Sequence, residues 1–265
     1  MHSWFTLLLV TAGCARSQAD RTEAPLPSRS TNPPLPPRAA LAPLAASSDL
    51  VELLVPGFGA ATVAVPRGAT EPRPVVVALH GHAIRPEHAC PRWQHAAYDW
   101  PFVLCPLGLP ADARPGQPVT LGSPAHTTRE IQAGLRVLRE HFAGYLAGGR
   151  PLFVGWSQGA KVGISVARSE AFDAAAFGEG GYDLLDDQAV THLAKSGLRR
   201  VLLLCATRAC ESSYARPAER LRAAGIPGRV AGAGGADHPF DGAAVETARE
   251  AWPWLVEGDS RFSVR

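Results

Sequence analysis

Four stretches of the chain are apolar without alternation: PVVVALHG (74–81), PFVLCPLG (101–108), PLFVGWS (151–157) and RRVLLLCA (199–206). An unbroken apolar run of strand length needs cover on both faces. AAAFGEGG (174–181) and GRVAGAGG (228–235) are weaker runs of the same kind. Upstream, LVELLVP and ATVAVP (50–66) are separated by Gly57 and Gly59 and predict an antiparallel hairpin. Between the runs the period lengthens to that of a helix. TTREIQAGLRVLREHFAGYL puts Ile131, Leu135, Leu138, Phe142 and Tyr145 on one face. Thr127 with Glu130 predicts a capping box there. Further helical segments follow Ser157 and lie around 184–196, 214–224 and 241–252, the last capped by Asp241. Strand and helix alternate with short loops, which predicts an α/β fold with a mostly parallel sheet and helices on both faces. In such folds ligands sit at the carboxyl ends of the strands.

The chain has 265 residues, enough for one domain with a self-sufficient core. Its 26 basic and 24 acidic residues leave a net charge of +2, without the clustered basic face of a nucleic-acid binder. No run of 18 apolar residues would span a membrane. The organisation expected is a signal over 1–14, a Pro/Ala-rich tether over 15–48, a folded domain over 49–258 and a tail over 259–265. MHSWFTLLLVTAGC resembles a bacterial lipoprotein signal, in which Cys14 would be lipidated. An ordinary cleaved signal peptide is the rival reading. Residues 15–48 hold proline clusters and no periodicity, as a tether to a lipid would. Either way the chain is expected to be exported, touching membrane only through that lipid.

Four further cysteines remain: Cys90, Cys105, Cys205 and Cys210. An even number in an exported chain favours disulfides, in one of three pairings. A local Cys205–Cys210 bridge would close CATRAC and leave Cys90 for Cys105. Metal binding has neither a C-x-x-C nor a nearby histidine cluster behind it.

The chemistry gathers around VGWSQGAKVG, where Gly155 and Gly159 flank Ser157 at the end of a predicted strand. A serine on so tight a strand-to-helix turn projects above the sheet, and its neighbours must be small. The earlier ALHGHAIRP loop follows another strand and offers a backbone N–H, assigned to His82, for a developing oxyanion. The N–H of Gln158 would be the second donor. Of nine histidines, His238 lies in AGAGGADHPFDG after the last strand, where a general base is expected.

Taken together, LHGH, GWSQGA and ADHPFDG resemble α/β-hydrolases of the carboxylesterase, phospholipase-carboxylesterase or dienelactone-hydrolase type over roughly residues 50–256. The resemblance implies an α/β-hydrolase fold with Ser157 on a nucleophile elbow. It implies a serine esterase that cleaves an ester or thioester of a small-molecule acyl substrate, through an acyl-enzyme and without metal or organic cofactor. The family's usual acid, a Gly-x-x-Asp after the next-to-last strand, is missing. Ala206 and Ala209 stand there instead. Three carboxylates compete for the role. Glu179 after the preceding strand is preferred over Glu211, two residues past the vacancy, and over Asp237 beside the histidine. Loss of the acid would instead leave an impaired scaffold acting as a surface or binding protein. A small peptidase of the same fold is the third reading, although the insertions are short for one.

Overall fold

The computed structural model describes residues 41–262. The expected signal with Cys14, the tether up to residue 40 and residues 263–265 lie outside the described residues. The eight strands form one sheet: β1 (Leu50–Leu54), β2 (Ala60–Ala64), β3 (Val75–Leu79), β4 (Phe102–Cys105), β5 (Leu152–Trp156), β6 (Ala175–Gly178), β7 (Val201–Thr207) and β8 (Gly228–Gly235). Their spatial order is β1-β2-β4-β3-β5-β6-β7-β8. β1 and β2 form the expected hairpin, and β2 also runs antiparallel to β4. All other pairs are parallel. This is the α/β-hydrolase fold, and every inner strand of an apolar run is buried on both faces.

Six α-helices cover the sheet: α1 (Pro86–Ala96), α2 (Pro124–His141), α3 (Gln158–Ser169), α4 (Asp187–Lys195), α5 (Arg208–Ala223) and α6 (Gly242–Leu255). The strand period of two divides the core between them. Val77, Leu79, Phe153, Phe177 and Leu203 point to the layer of α2, α3, α4 and α5. Val76, Ala78, Val154, Leu202 and Leu204 meet Trp93 of α1 and Trp252 of α6.

Three expectations are corrected. Helix α2 starts at Pro124, with Ser123 as its cap: the Ser123 hydroxyl accepts from the His126 N–H. Thr127 and Glu130 are therefore inside the helix and buried, and Glu130 accepts from the Gly108 N–H. The local capping pattern lost to a tertiary contact. The Asp241 side chain makes no capping hydrogen bond at α6. Finally, the domain extends past both expected boundaries. Leu44 is buried, and its N–H donates to the Ala69 carbonyl. At the other end Phe262 is buried, and Trp100 Nε1 donates to the Arg261 carbonyl. Isolated apolar residues in polar or proline-rich stretches found places in the core that composition does not reveal.

Candidate active site

Ser157 sits between β5 and α3 with φ 53° and ψ −112°, a left-handed backbone that a side chain tolerates only under strain. The turn is held by packing. A Cβ on Gly155 would lie 2.5 Å from the Gly159 carbonyl oxygen, and one on Gly159 would overlap the Leu79 carbonyl of β3. The Ser157 N–H donates to the Gly178 carbonyl at 2.8 Å. Its hydroxyl is not used to cap α3, although Ser157 holds the cap position. The side chain is thus left to face the cleft.

Glu179 follows β6 and also has a positive φ, 51°. Its carboxylate is buried at 7% exposure, which would be costly without partners. Oε2 accepts from the Ala206 N–H at 3.0 Å, and Oε1 accepts from the Thr207 hydroxyl at 2.5 Å. His238 Nδ1 stands 3.7 Å from Oε1, an ion-pair separation longer than a hydrogen bond. The His238 loop is anchored beside it. Trp156 Nε1 donates to the His238 carbonyl at 2.9 Å, and Phe240 stacks on the Trp156 ring. The rivals lie elsewhere. Glu211, on α5, covers Gly232 of β8, and Asp237 is exposed.

The loop after β3 closes the other side. Gly81 lies against Ser157, so a Cβ there would come 3.6 Å from the serine Cβ. The buried His80 ring sits between two carbonyls, with Nδ1 2.8 Å from the Gly81 oxygen and Nε2 3.0 Å from the Leu107 oxygen. Burial pushes its pKa down, against the pull of both carbonyls. A neutral ring has one N–H and can donate to only one of them. His80 is therefore a structural peg of the loop. His82 is exposed, and its Nδ1 lies 3.3 Å from the Thr120 hydroxyl. The Gln158 side chain meets the same hydroxyl: its Nε2 donates to Thr120 Oγ1 at 2.8 Å, and its Oε1 accepts from the Leu121 N–H at 3.2 Å. Thr120 thus ties together the two residues expected to supply oxyanion donors. Neither Thr120 nor Thr207 was legible in the sequence, because each acts through a loop distant in the chain.

The four cysteines pair as Cys90–Cys105 and Cys205–Cys210. Both bridges are compatible with export, as is the absence among the described residues of a helix long and apolar enough to cross a membrane. Glu179, Cys205 and Cys210 place oxygen and sulfur atoms within 4.8 Å of one another, a spacing that could hold a metal. Both sulfurs are spent in the bridge, so no thiolate is offered.

Ser157, His238, His80 and His82 all line one cleft of about 320 Å³, walled by Ile84, Trp93, Trp156 and Phe240. Trp93 belongs to the Trp- and His-rich stretch 85–102, and Trp100 faces another cleft, of about 460 Å³, with Trp252 and Phe262. That larger cleft contains no nucleophile.

No known family model matches the chain, and no curated protein matches it. Solved structures do. A protein assigned as a dienelactone hydrolase from Klebsiella pneumoniae superposes with a TM-score of 0.57 at 17% identity, covering 82% of this chain and 98% of that one. Est1E from Butyrivibrio proteoclasticus gives 0.57 at 12% identity, covering 79% and 99%. A dienelactone hydrolase-like promiscuous phosphotriesterase from metagenomic libraries gives 0.55 at 16%, covering 78% and 97%. At such identities the likeness establishes the α/β-hydrolase fold.

Proposed function

We propose that the protein is a serine hydrolase that cleaves a carboxylic ester or thioester through an acyl-enzyme on Ser157. His238 is the general base and Glu179 the acid that orients it. One arrangement carries the reading: the ends of β5 and β8 bring a strained serine and a loop histidine to one cleft, and the end of β6 sets a buried carboxylate 3.7 Å behind that histidine. The fold neighbours support a hydrolase in general.

In this mechanism His238 Nε2 takes the Ser157 proton as Oγ attacks the carbonyl carbon. The tetrahedral oxyanion is met by the N–H groups of His82 and Gln158, which Thr120 holds in register. The imidazolium then protonates the departing alcohol or thiol. Water attacks the acyl-enzyme with His238 again as base, and the free acid leaves. Glu179 holds Nδ1 protonated and stabilises the imidazolium. The 3.7 Å separation shortens once His238 is charged, as catalytic hydrogen bonds commonly tighten on the reaction path. Thr207 and the Ala206 N–H keep the carboxylate aimed at the histidine.

The test combines labelling and kinetics. A fluorophosphonate probe labels the wild type, and Ser157→Ala abolishes the label. With short 4-nitrophenyl esters, Glu179→Gln lowers kcat by about 10³- to 10⁴-fold, because the amide stabilises the wrong tautomer. Glu211→Gln leaves kcat unchanged. Persistent labelling of Ser157→Ala refutes the nucleophile. Turnover no better than that variant makes the protein a scaffold without catalysis.

A further inference from the structure

The proposed mechanism leaves one buried titratable group unused. Glu130 stands inside α2, is 2% exposed, and is not among the residues that line the cleft over Ser157. Its Oε1 accepts from the Gly108 N–H at 3.0 Å, and its Oε2 is buried with no hydrogen-bond partner among the described residues. Burial pushes the carboxyl pKa up, against the pull of the Gly108 N–H, of His126 one turn earlier and of the Leu107 N–H. A half-satisfied buried carboxyl is a costly way to hold one backbone N–H. Helix α2 does not need it for its own start, since Ser123 supplies the cap.

What the contact holds is the segment that follows β4, and each of its three residues is bonded toward the oxyanion side of the site. The Leu107 carbonyl oxygen lies 3.0 Å from Nε2 of His80, in the loop that carries His82. The Leu109 N–H donates to the Thr120 carbonyl at 2.7 Å, and the Thr120 N–H donates back to the Leu109 carbonyl at 2.9 Å. Gly108 between them has φ 82°, and a Cβ there would overlap the Thr120 carbonyl. The segment around Thr120 then reaches both loops beside the serine. Its hydroxyl accepts from the Gln158 side chain at 2.8 Å and lies 3.3 Å from His82 Nδ1, and the Val119 carbonyl accepts from the Ala83 N–H at 2.9 Å. The two residues proposed to donate to the oxyanion are thus both fastened, through His80 and Thr120, to Leu107–Leu109. The Glu130 carboxylate anchors the middle of that segment to α2.

We propose that Glu130 is a positioning residue that sets the reach of the His82 and Gln158 N–H groups toward the oxyanion. The proposal rests on Ser157 being the nucleophile. Glu130 touches neither substrate nor reacting atoms, and no proton passes through it. Its bond to Gly108 fixes Leu107–Leu109, and His80 and Thr120 carry that placement to the two donor loops. Displacements of about 1 Å at catalytic groups are enough to slow a reaction up to about 10²-fold. The oxyanion exists only along the reaction path, so loss of its donors lowers kcat and kcat/KM together and leaves KM unchanged.

The test compares Glu130→Met, which keeps the length of the side chain and removes the acceptor, with Glu130→Gln, whose amide oxygen still accepts from Gly108. On 4-nitrophenyl acetate Glu130→Met lowers kcat by roughly 10- to 100-fold at constant KM, and Glu130→Gln recovers most of that loss. A binding measurement separates this from general loosening. An aryl trifluoromethyl ketone forms a bond between its carbonyl carbon and Ser157 Oγ, the serine proton passes to His238, and the carbonyl π pair moves to the oxygen as an oxyanion. Glu130→Met binds this ketone more weakly by about the factor lost in kcat, and binds the matching trifluoromethyl alcohol, which cannot add the serine, as the wild type does. In a double-mutant cycle with Thr120→Val the two losses fall short of additive, because both act through one connection. Thermal melts check that each variant is folded at the assay temperature, and Glu130→Leu is the second acceptor-free variant should Glu130→Met not fold. A folded acceptor-free variant with wild-type kcat and ketone affinity overturns the positioning role alone, as does a Glu130→Gln variant no better than Glu130→Met. If no ester is turned over above Ser157→Ala, the hydrolase reading is overturned and this one falls with it.

Discussion

Ser157 and Glu179 share an unusual feature: both are non-glycine residues with positive φ, at the ends of adjacent parallel strands. At Ser157 the strain has a readable origin, since Gly155 and Gly159 leave space for a turn that no side chain on either would allow. A left-handed residue with a Cβ costs roughly 1–2 kcal/mol. Glycine has no such cost, so Ser157→Gly melts above Ser157→Ala, by about 1 kcal/mol after the greater chain entropy of glycine is deducted. Both variants lack the hydroxyl, so the comparison isolates the backbone. Equal stabilities would mean that the turn is unstrained. The turn at Ser157 and its glycines were legible in the sequence, because GWSQG follows an apolar run, and the room for burial of Glu179 was legible in the glycines of FGEGGY. What was not visible is how a carboxylate survives burial. Ala206 and Thr207 provide its donors from a strand end that lacks the usual aspartate.

In the proposed mechanism, the junction of β7 and α5 is the element that holds Glu179 in the role of the acid. Thr207 closes the strand and caps the helix: its hydroxyl donates to Glu179 and accepts from the Cys210 N–H at 3.2 Å. The Cys205–Cys210 bridge spans the same turn, with Ala206 and Thr207 inside its loop. Removing that bridge by Cys205→Ala with Cys210→Ala should lower kcat, by less than the ~10⁴-fold that accompanies loss of the acid itself. Removing Cys90–Cys105 should act differently. It closes a 15-residue separation beneath α1, so its loss costs up to about 3 kcal/mol of stability while kcat is kept. Urea unfolding and ester kinetics on the two double variants separate these effects. A larger kcat loss from the Cys90–Cys105 variant would contradict the assignment. At this scale the strands were legible and the helix starts were not. Helix α5 begins immediately after β7 rather than around 214, and α1 escaped notice because Pro86 and Pro91 lie within it. Pro86 at the helix start is tolerated, since the first N–H groups have no helical partner anyway, whereas Pro91, the sixth residue, costs α1 an internal hydrogen bond.

Over the whole molecule the candidate active site occupies the carboxyl ends of the strands, and the opposite end is fastened by the last described residues. Arg261 bonds both carboxylate oxygens of Asp259, at 2.9 and 2.6 Å, and the carboxylate of Asp173. It also donates to the carbonyls of Gly148 and Arg150, so one side chain ties together the approaches to β5 and β6. Apart from the neighbouring Asp259, this could not be read from the sequence, because the other partners lie 88 to 113 residues away in the chain. Arg261→Ala is expected to cost about 1–3 kcal/mol of stability, the loss of charge-assisted hydrogen bonds in a partly exposed network. The kcat/KM for a neutral ester should not change, since no part of the network reaches the cleft. The loss also has a pH signature. Burial would raise the Asp259 pKa, but the hydrogen bonds and charge of Arg261 outweigh it and hold the carboxyl below its ordinary value. A carboxyl whose pKa is lower folded than unfolded contributes stability above its unfolded value, near 3.9, and loses that contribution as pH falls through the folded value. The stability gap between wild type and Arg261→Ala, measured by urea unfolding, should therefore be full at pH 7 and shrink below about pH 4. A gap that stays constant down to pH 3 would show that Arg261 acts through packing rather than through its ion pairs.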